Sequence, residues 1–246
     1  MKLYRLRKRF RRKVFFPSRM TLPWSAYVRQ RPFIFAVWFH ARRLFFTLTH
    51  GLSAHQPEDR HSAQFVVPYN RARIGAVDRD RTERLMNVLR SIQGLDRASM
   101  RVLSLGPRNE AEILLLSLYG FDRRQITGVD LFSYSPLIRP MDMQHLDFRD
   151  DTFDLVYAAY TITYADKVET VCDEIMRVVR DGGLIALSFQ HFTGGRLNFG
   201  RNPLNGGLNE LFELFAGHVG HVYWREEYRH GDGVLCSTVF TVAKTR

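Results

Sequence analysis

The sequence predicts an α/β fold, a mostly parallel, doubly wound sheet with helices on both faces, and three observations carry that expectation. The apolar run Arg101-Val-Leu-Ser-Leu105 stops at Gly106 ahead of a helix-forming segment. A second run, Gln125-Ile-Thr-Gly-Val-Asp130, ends in a carboxylate. Leu184 to Phe189 is continuously apolar, as suits a strand covered on both faces. Strand, glycine turn, helix, strand, acid is the order of a nucleotide-binding unit.

The chain divides into three parts. Residues 1–57 form an arm that holds 13 of the 36 Lys and Arg and none of the 25 acidic residues. The other 23 basic residues against 25 acids leave the remainder at −2, so the net charge of +11 belongs to the arm. Residues 58–77, with Pro68 and mixed charge, read as a connecting segment. Residues 78–246 are close to the commonest size for one core.

Within that domain, Leu85, Val88, Leu89 and Ile92 recur at helical spacing and predict a preface helix. Arg101 to Leu105 is then the first strand, and a glycine at its end lets the backbone approach a ligand with no Cβ in the way. Asp130 closes the second strand 24 positions after Gly106, near the roughly 20-residue interval at which an acid meets a ribose in such units. Asp142-Met143 ends a third strand, and Phe153 to Tyr157 is a fourth, with the small Ala158 and Ala159 at its edge. Val168, Val171, Ile175 and Val178 make a helix face over Lys167 to Arg180, which Asp181-Gly182-Gly183 is expected to stop. Gln190 to Gly207 reads as a loop rich in Gly, Asn and Arg, either a substrate cover or a plain surface connection. Leu208, Leu211, Phe212 and Phe215 predict a last helix, before strands from His221 to Tyr228 and Val234 to Val242 joined as a hairpin.

Four segments in order, Asp142-Met-Gln-His-Leu146, Asp151-Thr-Phe-Asp-Leu-Val156, Glu174-Ile-Met-Arg-Val178 and Asp181-Gly-Gly-Leu-Ile185, resemble the class I S-adenosylmethionine-dependent methyltransferases that act mostly on small molecules, lipids and sugars. The resemblance implies a Rossmann-like sheet that ends in an antiparallel hairpin, with S-adenosylmethionine as cofactor. It implies a donor site of Gly106, Arg108, Asp130, Leu131, Asp142, Met143 and Ala159, in which Asp130 meets the ribose and Asp142-Met143 meets adenine. Glu174, Arg177 and the paired glycines are expected to be structural. Two positions depart from the family: Ser104 stands where an acid for the methionine amino group is usual, and Arg108 where a second glycine is usual. Arg108 either pairs with the donor carboxylate or obstructs the pocket.

The reaction so implied is in-line methyl transfer to an oxygen, nitrogen or carbon of a small-molecule, lipid or saccharide acceptor. Tyr160, Tyr164 and His191, near the strand ends, are the candidates for a base. A fold that has lost the reaction is the alternative. No histidine pair has metal-ligand spacing beside a carboxylate, so no metal is expected.

The arm mixes Lys and Arg with aromatics from Tyr4 to Phe46. Ile34, Trp38, Ala41, Phe45 and Leu48 predict one helix face, with His40, Arg42 and Arg43 on the other side. Three roles fit: docking on an anionic membrane surface, packing on the domain, or binding nucleic acid. A nucleic-acid methyltransferase is disfavoured by Ala158-Ala-Tyr-Thr161, which is no Asn-Pro-Pro-Tyr box, and by the lack of a Pro-Cys pair. The apolar run Phe33 to Phe39 is too short for the roughly 20 residues of a membrane span, and Pro17, Arg19 and Pro23 break any signal-like stretch. With Cys172 and Cys236 alone, a cytoplasmic protein, peripheral on the inner membrane face, is the expectation.

Overall fold

The computed structural model describes residues 28, 30–55, 61–192, 204–231 and 233–244. A seven-stranded sheet forms its centre. β2 (Val102–Leu105), β3 (Ile126–Asp130), β5 (Ile138–Pro140), β6 (Phe153–Ala159) and β7 (Val179–Phe192) run parallel; β8 (Val219–His230) and β9 (Gly233–Val242) close it as an antiparallel hairpin. The strand order β5-β3-β2-β6-β7-β9-β8 reverses direction at β2, and in open sheets a ligand crevice forms at such a reversal. The predicted mostly parallel sheet with its C-terminal hairpin is thus the observed one.

Helices cover both faces because the strands are apolar on both. On one side α3 (Arg79–Ser91) and α4 (Glu110–Leu118) bury Leu85, Met86, Leu89 and Ile113 to Leu116. On the other, α5 (Val168–Val178) and α6 (Gly207–Leu214) bury Val171, Ile175, Leu208 and Leu211 against Val156, Leu187 and Phe240. Each such side chain contributes about 1.5–3 kcal/mol on leaving water.

Three expectations need correction. The helix expected over Lys167 to Arg180 is shorter, ending at Val178 without a glycine. Gly182, at φ +67°, and Gly183 lie instead in an irregular start of β7, where the six residues from Val179 to Leu184 face the three from Phe153 to Leu155. A Cβ on Gly183 would come within 2.8 Å of the Arg180 carbonyl oxygen, so that kink demands glycine. Next, β5 stops at Pro140, which leaves Asp142-Met143 in the turn beyond the strand. Finally, Gln190 to Phe192 continue β7, while residues 193–203 of the expected loop lie outside the described ones.

The segment ahead of the sheet holds more order than its sequence announced. α1 (Pro32–His50) leads through β1 (Ser53–Ala54), which pairs with β4 (Phe132–Ser133), to α2 (His61–Ala72) inside the expected connector. α1 buries Phe35, Phe39, Arg42 and Phe46, a face turned about 110° round the helix from the one expected, of which Ile34 and Trp38 are still partly buried. The cause is electrostatic. Arg42, fully buried, donates to both oxygens of the equally buried Glu110, at 2.8 and 3.0 Å, and its guanidinium lies over the Phe46 ring. Arg42 therefore belongs to the inward face and cannot serve as an outward charge. No helix among the described residues is long and apolar enough to cross a membrane.

Glu110 carries a heavy electrostatic duty. Ser135 donates to it, and Arg123, also buried, is held down to about 10 by burial first and by the nearby Arg42 charge second, with Glu110 opposing. Glu110→Gln should therefore lower unfolding free energy by about 3–5 kcal/mol in urea denaturation, because it strips the anion from two buried guanidiniums. A loss under about 1 kcal/mol would show that water or other groups compensate.

Candidate active site

The site follows from how β2 ends. Gly106 sits at φ +63°, its N–H donating to the Val129 carbonyl at 2.7 Å. A Cβ there would lie 2.0 Å from Thr161 Cγ2, so glycine is required by conformation and by space. Thr161 Oγ1 in turn reaches the Gly106 and Ala159 carbonyls at 3.3 and 3.1 Å, clamping the loop after β2 to the end of β6.

Arg108 keeps the left-handed backbone of a glycine, at φ +48°, although it is none. Holding a residue with a Cβ in that conformation costs about 1–2 kcal/mol. Its guanidinium lies over the Tyr69 ring, 5.6 Å from the centroid, and forms part of the crevice wall. Asn109 then caps α4 by accepting from Ala111 N–H at 2.9 Å, and its amide donates to the Ile74 and Ala76 carbonyls.

The crevice so framed spans about 680 Å³, counting the part open to solvent. Gly106, Arg108, Asp130, Leu131, Asp142 and Met143 line it together, drawn from the ends of β2, β3 and β5. Ala159, fully buried, does not. Of the three candidate bases only Tyr164 lies on the wall, from the short 3₁₀ turn Ile162–Tyr164. Tyr160, at φ +56°, packs against the α3 and α4 side, and His191 sits in β7 opposite Val234.

Asp130 is the most constrained group here. Only 6% exposed, it accepts from Arg108 N–H and Phe132 N–H, both at 3.1 Å, and from the Asn70 amide at 3.2 and 3.4 Å. Asp142 accepts from Gln144 N–H at 2.9 Å, and Gln144 accepts from Lys167 N–H. Behind that turn Glu174 accepts from Leu146 N–H at 2.6 Å, and Arg177 donates to Glu174 and to the Leu146 and Phe148 carbonyls. Burial alone would raise the Glu174 carboxyl. Its bonds from Arg177 and Leu146 outweigh burial and hold it below the usual carboxylate range.

Sequence reasoning missed Val66, Tyr69 and Asn70, which α2 brings to the wall, as well as Gln144 and Thr161. Spacing gave a signal, since Val66, Tyr69 and Asn70 are three and four apart, but Pro68 within the helix masked it. Ser104 offered another. Its hydroxyl donates to Glu112, a buried carboxylate from the first turn of α4, so an acid does reach this position from eight residues further on.

Residues 103–187 match the family model described as a methyltransferase domain. A phosphatidylethanolamine N-methyltransferase of Cereibacter sphaeroides is 34% identical over 96 residues, which cover 32% of this chain and 46% of that protein. The chain thus spans less than half the length of this relative. Among solved structures, the 1,6-didemethyltoxoflavin-N1-methyltransferase of Burkholderia thailandensis, with bound 1,6-didemethyltoxoflavin and S-adenosylhomocysteine, superposes with a TM-score of 0.53. At 19% identity over 74% of this chain and 87% of the other, the likeness is one of fold.

Two substitutions check this geometry. Gly106→Ala should cost about 2–4 kcal/mol in chemical denaturation, the sum of left-handed strain and overpacking, and adding Thr161→Ser, which removes Cγ2, should restore part of it. No recovery would mean the two loops do not meet as described. For Glu174, a lowered folded pKa contributes stability that is present above the unfolded value near 4.3 and is lost as pH falls through the folded value. Glu174→Gln should accordingly flatten the acid limb of the stability profile below about pH 4.

Proposed function

We propose, from the premise that residues 103–187 are a methyltransferase domain, that this chain transfers the methyl group of S-adenosylmethionine to an amphiphilic acceptor of the lipid class. One observation carries the donor half: a buried acid at the end of β3 faces the glycine turn of β2 across a crevice that also holds Asp142 and Met143. The residues fit the group. Asp130 presents acceptor oxygens to paired ribose hydroxyls, Asp142 an acceptor to an adenine amino group, and Met143 a polarisable thioether to its ring face. Gly106, with no Cβ, lets the chain pass close to the donor.

When bound, the sulfonium supplies its own leaving group, so the chain's tasks are alignment and exclusion of water. Thr161 holds the Gly106 turn, and Tyr69 and Val66 line the crevice from α2. Tyr164, on the wall, is the residue placed to take a hydrogen bond or proton from an acceptor. The lipid class is supported by the name of the Cereibacter relative and by the apolar exposure of the N-terminal helices. On this reading the protein works as a peripheral membrane enzyme.

A second reading has its own observation. The oxygens of Asp130 are taken by Asn70, Arg108 N–H and Phe132 N–H, as in a fold that has stopped binding the donor. Calorimetric titration with S-adenosylmethionine separates the two. The proposal expects saturable heat, and at least tenfold weaker binding for Asp130→Ala, the loss of about 1.4 kcal/mol or more from charged hydrogen bonds. No heat at millimolar donor would favour the inactive fold. Incubation with methyl-labelled donor and phosphatidylethanolamine vesicles then tests the acceptor, label in the lipid extract being the expected outcome.

A further inference from the structure

We propose that the outward face of α1 docks on the surface of an anionic phospholipid bilayer. The two faces of this helix differ in kind. Phe35, Phe39, Arg42 and Phe46 point into the protein, whereas Phe33, Val37, Leu44 and Leu48 are 79, 54, 60 and 77% exposed. At 3.6 residues per turn these four fall within about 60° of one another, on the side opposite the buried row. The stripe therefore runs the length of the helix.

Apolar exposure is concentrated in this cap. Among the described residues, eight large hydrophobic side chains are exposed, and six of them precede the sheet: those four, Leu52 after α1, and Phe65 on α2. The other two, Val222 and Tyr223, lie on the edge strand β8. Scattered apolar exposure is ordinary, but a continuous helical stripe marks an interaction surface.

Charge selects the occupant. The stripe belongs to a stretch, residues 1–57, with 13 Lys and Arg and no acid; of these Arg42 is turned inward, while Arg31 and His40 are exposed on α1 or beside it. An anionic bilayer meets both demands, taking aliphatic side chains into its interfacial layer while its headgroups attract the basic residues. A second copy of the chain would set one strongly positive arm against another. Nucleic acid would match the charge, but Phe33 alone of the four stripe residues offers a ring on which a base could stack. The inference deepens the lipid reading above by naming the surface that would bring the enzyme to its acceptor, yet it rests on α1 alone.

The test is cosedimentation of the full chain with vesicles of phosphatidylcholine, with and without phosphatidylglycerol. Expected is binding that needs the anionic lipid, and that falls more than about tenfold in Leu44→Glu combined with Leu48→Glu, since two leucines no longer leave water. Both side chains are exposed, so circular dichroism and donor titration should show the variant folded; Val222→Glu is the surface control and should bind as the parent does. The proposal is overturned if the paired variant binds vesicles like the parent, or if the parent ignores anionic vesicles. It is equally overturned if light scattering shows a dimer that the paired variant dissolves, or if RNA binds in place of lipid. Asp130→Ala should still sediment with vesicles, so failure of the donor site and failure of the docking face give different results.

Discussion

The ion pair between Arg42 and Glu110 sets how everything ahead of the sheet meets the sheet. A bidentate guanidinium–carboxylate contact, fully removed from water, tolerates little rotation of the helix that carries the arginine. Once Arg42 is turned inward, Phe35, Phe39 and Phe46 must follow, and Phe33, Val37, Leu44 and Leu48 are left outside. Glu110 is also the first residue of α4, where a helix N-terminus favours negative charge, and it stands four positions after the glycine of the crevice. One carboxylate thus joins the orientation of the cap to the start of the helix behind the site.

The loop between Gly106 and Glu110 shows that conformation outlasts composition. The loop has two positions with left-handed backbone, one a glycine and one an arginine. Strain of this size persists only where surroundings over-determine it. Here they do: Arg108 N–H is held by Asp130, its side chain lies over Tyr69, and the next residue caps α4 while tying two carbonyls of the segment after α2. The arginine that looks like a lesion in the sequence is, in three dimensions, part of the wall.

What the sequence made legible was whatever depends on short-range pattern. Strands covered on both faces announce themselves as apolar runs, so β2, β3 and β6 fall within two residues of their expected ends, and with them Gly106 and Asp130, while β7 begins five residues before its apolar run. The face of α1 was not legible, because its rotation is decided by a partner 68 residues away, and hydrophobic periodicity cannot foresee a buried arginine. α2 was hidden for a different reason. Its Pro68 removes a helical N–H and reads as a breaker, while the residues that matter, Tyr69 and Asn70, gain their meaning only from Arg108 and Asp130 across the crevice. Glycines misled in the opposite sense, since Gly182 and Gly183 serve a bulge in β7 and not a helix end.

Asp130 connects these themes. A carboxylate offers about four acceptor positions, and two backbone N–H groups with the Asn70 amide already engage both of its oxygens. On the proposed function, ribose hydroxyls must draw on the same oxygens. The two backbone donors are fixed by β3 and the loop, so Asn70 is the partner that has to share or yield. Asn70 sits on α2, in the cap that also carries Phe65 and, through β1, follows the apolar stripe of α1. The candidate donor site thus reaches α2 through Asn70, whereas the proposed docking face belongs to α1, so a change at one leaves the other in place.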